Sequence, residues 1–219
     1  YDGEPIYNLG LALKYQGRYN EAYDRFYKSC WNAAWQDAGY FACAQISTMQ
    51  SRLEDALDEI DRSLIRNWHN HKARALKTAI LRRMGRTEEA LQLIEDSLSI
   101  DKFNFGCRYE KYLITNVVDE LSVMKEMMRG EPHNYDEIAL DYCAAGCWQE
   151  AASLWNIAIA EGIVTPMTYY YLGWCLHQGG LSGVKQAFAD AVKACPDYCF
   201  PNRLEAILAL QCAMVQNPG

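Results

Sequence analysis

Apolar residues recur at helical spacing through most of the chain, and the pattern that contains them repeats every 34 residues. Three segments align without a gap: GRYNEAYDRFYKS at 17–29, SRLEDALDEIDRS at 51–63 and GRTEEALQLIEDS at 85–97. The matching positions are Arg18, Arg52 and Arg86; Ala22, Ala56 and Ala90; Phe26, Ile60 and Ile94; and Ser29, Ser63 and Ser97. Within each segment apolar side chains fall at i, i+3, i+4 and i+7, which is typical of an amphipathic helix. A fixed period of this length predicts a helical repeat protein.

A second helix is predicted before each of these segments, so that every repeat forms a helix-turn-helix pair. Gly17 and Gly85 fall where the two helices reverse direction, because glycine tolerates the positive φ of a helix C-terminus. We expect one array over 1–219, with about thirteen helices in six pairs and a C-terminal capping helix. The predicted units are about 3–36, 37–70, 71–103, 104–131 (shortened), 132–164 and 165–199, with the cap at 201–216.

The identities of the residues at fixed repeat positions resemble the tetratricopeptide repeat. In the first copy the matching residues are Gly10, Gly17, Tyr19, Ala22, Phe26 and Ser29. Small residues at Gly10 and Ala22 allow the two helices of one repeat to approach closely. The resemblance implies an all-α fold, a right-handed α-α superhelix, which acts as a protein-protein interaction or assembly scaffold through a concave groove.

A second resemblance concerns residues 6–105. The segments YNLGLALKYQGRYNEAYDRFYKSCWNAAWQDAGYFACAQ and SLIRNWHNHKARALKTAILRRMGR look like the C-terminal repeat region of large bacterial proteins. Those proteins carry an uncharacterised β-rich domain that resembles carbohydrate-active enzymes. The alternative function is therefore an accessory, docking or oligomerisation region of such an enzyme on the same chain. On this interpretation the sequence is a piece of a longer protein, and whether the parent is an enzyme stays open.

The first tetratricopeptide resemblance also implies which side chains line the groove, because the concave face is formed by the first helix of each repeat. The candidates are Tyr7, Asn8, Leu11, Lys14 and Tyr15; Phe41, Gln45, Thr48 and Met49; Arg82 and Arg83; and Tyr170, Tyr171, Trp174, His177 and Gln178. These side chains suit a peptide or an extended loop. The set lacks the full lysine and asparagine clamp for a C-terminal carboxylate, which disfavours that ligand. An acidic peptide near Lys14, Arg82 and Arg83 is an open alternative.

Seven aromatic residues lie within residues 15–35 and need separate interpretations. Tyr19 and Phe26 occupy positions at which the repeat requires bulk, so we predict that both are core. Tyr23, Tyr27 and Trp31 are predicted on the outer or inter-repeat surface, and Trp35 is predicted in the joint before the second repeat. A third, less favoured function is a sugar-binding module, with stacking faces supplied by Tyr7, Tyr15, Tyr170 and Trp174.

Charge and cysteine content limit the classes of partner that the sequence favours. The formal net charge is -7 and the basic residues form no continuous stripe, which disfavours nucleic acid and anionic membranes as partners. Nine cysteines with irregular spacing favour free thiols in a reducing, cytoplasmic compartment. We find no motif for catalysis, a cofactor or a metal, because pairs such as His69 with His71 and Cys143 with Cys147 lack further ligands. We therefore expect no enzyme activity in this piece and a protein, a peptide or another domain of the parent chain as partner.

Overall fold

The computed structural model describes residues 2–197 and 199–216, and this part of the chain is helical throughout, with no strand. It contains thirteen α-helices and one short 3-10 helix, Ala33–Trp35. The α-helices are α1 Glu4–Tyr15, α2 Tyr19–Ser29, α3 Gln36–Met49, α4 Leu53–Arg66, α5 His71–Arg83, α6 Thr87–Ile100, α7 Phe105–Thr115, α8 Val118–Met128, α9 Pro132–Ala144, α10 Trp148–Ala160, α11 Pro166–Gln178, α12 Val184–Lys193 and α13 Leu204–Gln216. The prediction of an all-α chain with about thirteen helices is confirmed.

The chain forms two compact units, unit 1 (Tyr1–Met127) and unit 2 (Met128–Gly219). In unit 1 the pairs α1–α2, α3–α4 and α5–α6 each pack together, and each pair also contacts the first helix of the next. In unit 2 the pairs are α9–α10 and α11–α12, and α13 packs mainly on α11. Each unit is thus a stack of helix pairs in which neighbours along the chain are neighbours in space.

Short turns of the same form join the two helices of each pair. Gly17 and Gly85 have φ of 74° and 75°, so the predicted role of these two glycines is confirmed. The amide of Arg18 donates to the Leu13 carbonyl at 2.9 Å, the long hydrogen bond that closes a Schellman turn. Ser51 occupies the same place in the second repeat with φ of 59°, although it is not glycine.

The three matching arginines are the N-cap residues of the second helices of their repeats, and each one pairs with an acidic residue three positions later. The pairs are Arg18 with Glu21 at 2.6 Å, Arg52 with Asp55 at 2.7 Å, and Arg86 with Glu89 at 2.6 Å. Each acidic side chain lies in the first turn of its helix, where negative charge is favourable. The recurrence of arginine along the sequence therefore has a local cause, and because the pairs are exposed they add little to stability.

Close contact between a glycine and an aromatic ring sets the spacing within a helix pair. Phe26 is fully buried, and its ring lies so near Gly10 that a Cβ atom built there would be 2.7 Å away. Phe188 and Gly173 repeat this arrangement in unit 2, with 2.4 Å from ring to Cβ. Tyr19 packs against the core cluster that contains Phe26, so the predicted core role of both aromatic residues is confirmed.

We predict that Gly10→Ala destabilises the protein, because the buried Phe26 ring has no room to move away from a new methyl group. Overpacking of this kind costs about 1–3 kcal/mol, and the better helix propensity of alanine returns up to about 1 kcal/mol. The unfolding free energy from urea titration, followed by circular dichroism, should therefore fall. In a Phe26→Leu background, where the ring is absent, the same change should cost less. An alanine variant as stable as the wild type would contradict this explanation.

Candidate binding surface

The predicted groove residues of α1 lie on one side of that helix, but they are not equally accessible. Asn8 is exposed, whereas Leu11 and Tyr15 are partly buried. The ring of Tyr7 packs 5.2 Å from the ring of Phe26 and 4.9 Å from that of Trp35. Burial raises the pKa of the Tyr7 hydroxyl. Tyr7 is therefore mainly part of the packing of the first repeat, and Trp35 contacts this packing from the joint, where it was predicted.

Lys14 and Gln45 join the first helices of two successive repeats. The Lys14 Nζ donates to Gln45 Oε1 at 2.6 Å, which connects α1 to α3. Gln45 is only 8% exposed, and Thr48, one turn later, is fully buried. The groove prediction placed both residues on an open face, whereas α3 lies between neighbouring helices that cover them. Phe41, one turn before Gln45, stays partly exposed beside the same junction.

Arg82 forms the corresponding link between α5 and α7. Its Nε donates to Glu110 Oε2 at 2.6 Å and its Nη2 donates to Glu110 Oε1 at 3.2 Å. The Glu110 side chain is 0% exposed, so the carboxylate depends on this two-point contact. Arg82 was predicted to attract an acidic peptide, but its positive charge is already balanced by the Glu110 carboxylate. Glu110 was not predicted, because nothing in the sequence shows which helix faces α5.

In unit 2 the predicted groove aromatics of α11 are packed inside the fold. Trp174 is 8% exposed and meets the Trp148 ring edge-on at 5.9 Å. Tyr171 is also buried, and Tyr170 lies 6.3 Å from the Phe188 ring. Their expected exposure is corrected here, because α11 is enclosed by helices before and after it. The stacking face for a sugar that was expected at Trp174 is buried, and Tyr170 is partly exposed, while His177 and Gln178 are exposed.

A buried carboxylate lies beneath this aromatic layer. Trp155 stacks on Tyr171 at 6.2 Å, and its indole Nε1 donates to Asp136 Oδ1 at 2.9 Å. Burial raises the pKa of Asp136 to about 6, although the Trp155 hydrogen bond and the nearby His133 act in the opposite direction. The raised pKa means that burial outweighs these favourable contacts. Asp136 was missed by sequence analysis, because a single acidic residue in an amphipathic helix reads as solvent-exposed.

Large apolar side chains on the outer surface of unit 1 are more exposed than most of the predicted groove residues. Trp31 is 70% exposed and Ile65, at the equivalent position of the next repeat, is 78% exposed. Tyr27, one turn before Trp31, is also exposed. The structure thus places Tyr27 and Trp31 on the outer surface, where they were predicted.

The remaining features concern the cysteine thiols, possible metal ligands and the lengths of the helices. All nine cysteines are free thiols, and six of them are buried. Within residues 2–197 and 199–216, no cluster of three or more histidine, cysteine, aspartate or glutamate side chains is arranged to hold a metal ion. In the same residues, none of the helices combines the length and apolar character needed to cross a bilayer.

Solved structures with the same succession of helix pairs identify the fold. A tetratricopeptide repeat protein from Parabacteroides merdae aligns over 97% of this chain and 84% of its own, with a TM-score of 0.53 and 17% identity. The chain has the tetratricopeptide-repeat fold. A thermophilic tetratricopeptide repeat protein of Thermus thermophilus aligns over 87% of this chain and 99% of its own, with a TM-score of 0.51 and 15% identity. No protein-family model and no curated protein matches the sequence.

Asp136 should make the stability of this tetratricopeptide-fold chain depend on pH. Its folded pKa of about 6 lies above the ordinary value of 3.8, so the folded state holds the proton more tightly. Wild-type stability should therefore fall as the pH rises from about 4 to about 6. Asp136→Asn keeps an oxygen acceptor for Trp155 and removes the titration. Relative to the wild type, it should gain about 2 kcal/mol between these limits, measured by urea unfolding. The exposed Asp197→Asn should show no such gain, and a parallel pH profile for the two variants would disprove this role of Asp136.

Arg82→Met should destabilise unit 1, because it leaves the Glu110 carboxylate buried without its two-point partner. Loss of one member of a buried ion pair costs about 3–5 kcal/mol, whereas replacing both members by apolar side chains restores most of it. The double variant Arg82→Met/Glu110→Met should therefore unfold at a higher urea concentration than Arg82→Met alone. Arg66→Met, at an exposed position near the end of α4, is the control, with an expected change below about 1 kcal/mol. Equal losses in Arg82→Met and Arg66→Met would show that the ion pair is unimportant.

Proposed function

We propose that the chain is a protein-binding scaffold that holds a peptide or a protein segment against the first helices of unit 1. The observation that carries this proposal is the groove face, defined here as Asn8, Leu11 and Tyr15 of α1 with Phe41 of α3. These side chains are exposed or partly exposed on helices that are already fixed by the core. The Lys14–Gln45 bond brings the two helices together at this face. A rigid surface of this kind lowers the ordering cost of binding.

The chemistry of the groove face favours apolar recognition. Arg82 is balanced by Glu110 and Lys14 is held by Gln45, so neither side chain presents an unpartnered cation. Leu11, Tyr15 and Phe41 instead offer apolar and aromatic area with the polar Asn8 at the edge. Aromatic side chains of this type are the usual anchors of protein interfaces. The expected partner is an amphipathic helix or an extended segment with apolar anchors, and the expected action is binding without catalysis.

A second candidate function uses the outer surface of unit 1. Trp31 and Ile65 are among the most exposed apolar side chains of the described residues. Exposed apolar side chains that together form one patch favour contact with another protein surface. Such a contact fits an accessory or docking region within a larger protein. The relation to bacterial proteins with a carbohydrate-enzyme-like domain stays a prediction, and so does the cytoplasmic location that the free thiols favour.

The groove face is tested by selecting phage-displayed random peptides on the wild-type protein and measuring their affinities for variants by fluorescence polarisation. Tyr15→Ala/Phe41→Ala should weaken the selected peptides by about tenfold or more, because interface aromatics are common hot spots. Trp31→Ala/Ile65→Ala removes comparable apolar area from the outer surface and should leave these affinities unchanged. If only the second variant loses binding, the outer surface is the binding site and the groove proposal is wrong.

A further inference from the structure

A cavity of about 200 Å³ opens on the outer surface of unit 1, between α2, α3 and α4. Its lining contains three tyrosines, three carboxylates and one arginine: Tyr23, Tyr27, Tyr40, Asp55, Asp58, Glu59 and Arg62. The groove face does not include any of these residues. The cavity therefore has its own chemistry, which the proposed function does not use.

The tyrosine rings form two walls of the cavity at a steep angle. Tyr23 and Tyr27 are nearly parallel, with centroids 6.3 Å apart and an angle of 14°. Tyr40 meets Tyr27 edge-on, again at 6.3 Å but at 83°. Tyrosine rings that line a small opening can attract cations to their π faces.

The protein itself shows that these rings accept cations. The guanidinium carbon of Arg52 lies 5.0 Å from the Tyr23 centroid, and that of Arg62 lies 5.6 Å from the Tyr40 centroid. Both arginine side chains are substantially exposed. A ligand cation that enters the cavity therefore meets surface side chains that can move aside.

The carboxylates keep acceptor capacity after these internal contacts are counted. Asp55 and Asp58 each use Oδ2 in the ion pairs with Arg52 and Arg62, at 2.7 and 2.8 Å. Among the described contacts, Oδ1 of either aspartate accepts no hydrogen bond. Three carboxylates thus face two guanidinium groups, which leaves the cavity with an excess of negative charge.

Glu59 is the most constrained of the three carboxylates. Its side chain is 5% exposed, and Oε1 accepts a hydrogen bond from the Tyr23 hydroxyl at 2.5 Å. Oε2 is buried and meets no donor in good hydrogen-bond geometry among the described residues, although the Ser47 hydroxyl lies near the carboxylate. Burial raises the pKa of Glu59 because the contacts with Tyr23, Ser47 and Arg52 offset only part of the desolvation. A buried carboxylate oxygen without a donor destabilises the protein, and a cationic N–H donor is the group that would correct this.

We propose that this cavity binds the cationic head of a basic side chain, a guanidinium or an ammonium, presented by a protein partner. The inference rests on the proposed binding function but assigns a separate surface and a partner chemistry to it. The exposed Ile65 lies one turn after Arg62 on α4, and the exposed Trp31 follows the C-terminal end of α2, four residues after Tyr27. A partner segment with an apolar residue beside its basic residue therefore fits this surface. An anionic ligand would face three carboxylates and is disfavoured.

The proposal is tested with small probes on the full chain, which avoids the need to know the partner. Nα-acetyl-arginine methylamide, its lysine analogue and its citrulline analogue are titrated while tyrosine ring resonances are followed by NMR. Citrulline keeps the shape of arginine and removes the charge. At least one cationic probe should bind about tenfold or more tightly than citrulline, and the tighter of the two identifies the head group. Equal binding of all three probes, or no saturable shift, would overturn the proposal.

Charge variants on one helix locate the site. Asp58→Asn removes an exposed cavity carboxylate and should weaken the cationic probe several-fold. Glu54→Gln makes the same charge change on α4 outside the cavity and should leave the affinity unchanged. If Glu54→Gln weakens binding as much as Asp58→Asn, the effect is general surface charge and the specific site is disproved.

Two further variants keep the test independent of folding and of the groove. Glu59→Gln retains an acceptor for Tyr23 and should weaken the probe if circular dichroism shows a folded protein. Tyr27→Leu, at an exposed position, supplies the same test if Glu59→Gln does not fold. Tyr15→Ala/Phe41→Ala should bind the probe like the wild type. Failure of the cavity test therefore leaves the groove proposal untouched, and loss of groove binding leaves the cavity proposal untouched.

Discussion

Each unit contains a pair of antiparallel helices, α1–α2 and α11–α12, whose close approach depends on a glycine beneath an aromatic ring. Phe26 fills the space over Gly10, and Phe188 fills the space over Gly173. Because the ring takes the place of a side chain on the facing helix, the distance between the helices is fixed by its thickness. Ala22, fully buried beside the ring, adds a second small residue to the contact. Once this contact forms, it fixes which side of each helix faces its partner and which side is left for other contacts.

Successive pairs in unit 1 share apolar core contacts and are also connected by polar contacts between residues about one repeat apart. Examples are Lys14 with Gln45, Tyr23 with Glu59, and Arg82 with Glu110. A buried polar contact is favourable only when both partners meet with good geometry. A shift of one repeat relative to the next therefore costs more free energy at a polar contact than at an apolar contact. Asp37 illustrates this, because its carboxylate accepts hydrogen bonds from Ser63, Asn67 and Asn70 at the junction of three helices. These contacts specify how one repeat is aligned with the next.

Features that depend on neighbouring residues could be predicted from the sequence. The exposure and the long-range partners of a side chain could not, because they depend on helices that are distant in the sequence. The helices, the Gly17 turn and the burial of Phe26 follow from the spacing of apolar residues and from the backbone preferences of individual residues. Both can be read from residues that are close together in the sequence. Exposure on the first helix of a repeat is different, because the helices before and after it cover part of each face. Gln45 and Trp174 were expected in an open groove for this reason and are buried. The long-range partners stay hidden as well, since an acidic residue at helical spacing looks the same whether it is solvated or paired.

Burial without a partner does not by itself mark a binding site, and two buried charged groups of unit 1 show the difference. Arg74 has an unbonded Nη2, but its guanidinium lies 4.1 Å from the Trp68 ring, its Nε donates to Ser97, and it is absent from the cavity lining. That arrangement compensates the charge internally. Glu59 also has one unbonded atom, yet it lines an opening to solvent whose walls are tyrosine rings. A cation from outside can therefore reach the surroundings of Glu59, whereas Arg74 is enclosed by its own repeat. Access, more than the missing hydrogen bond, separates a candidate ligand site from a structural charge.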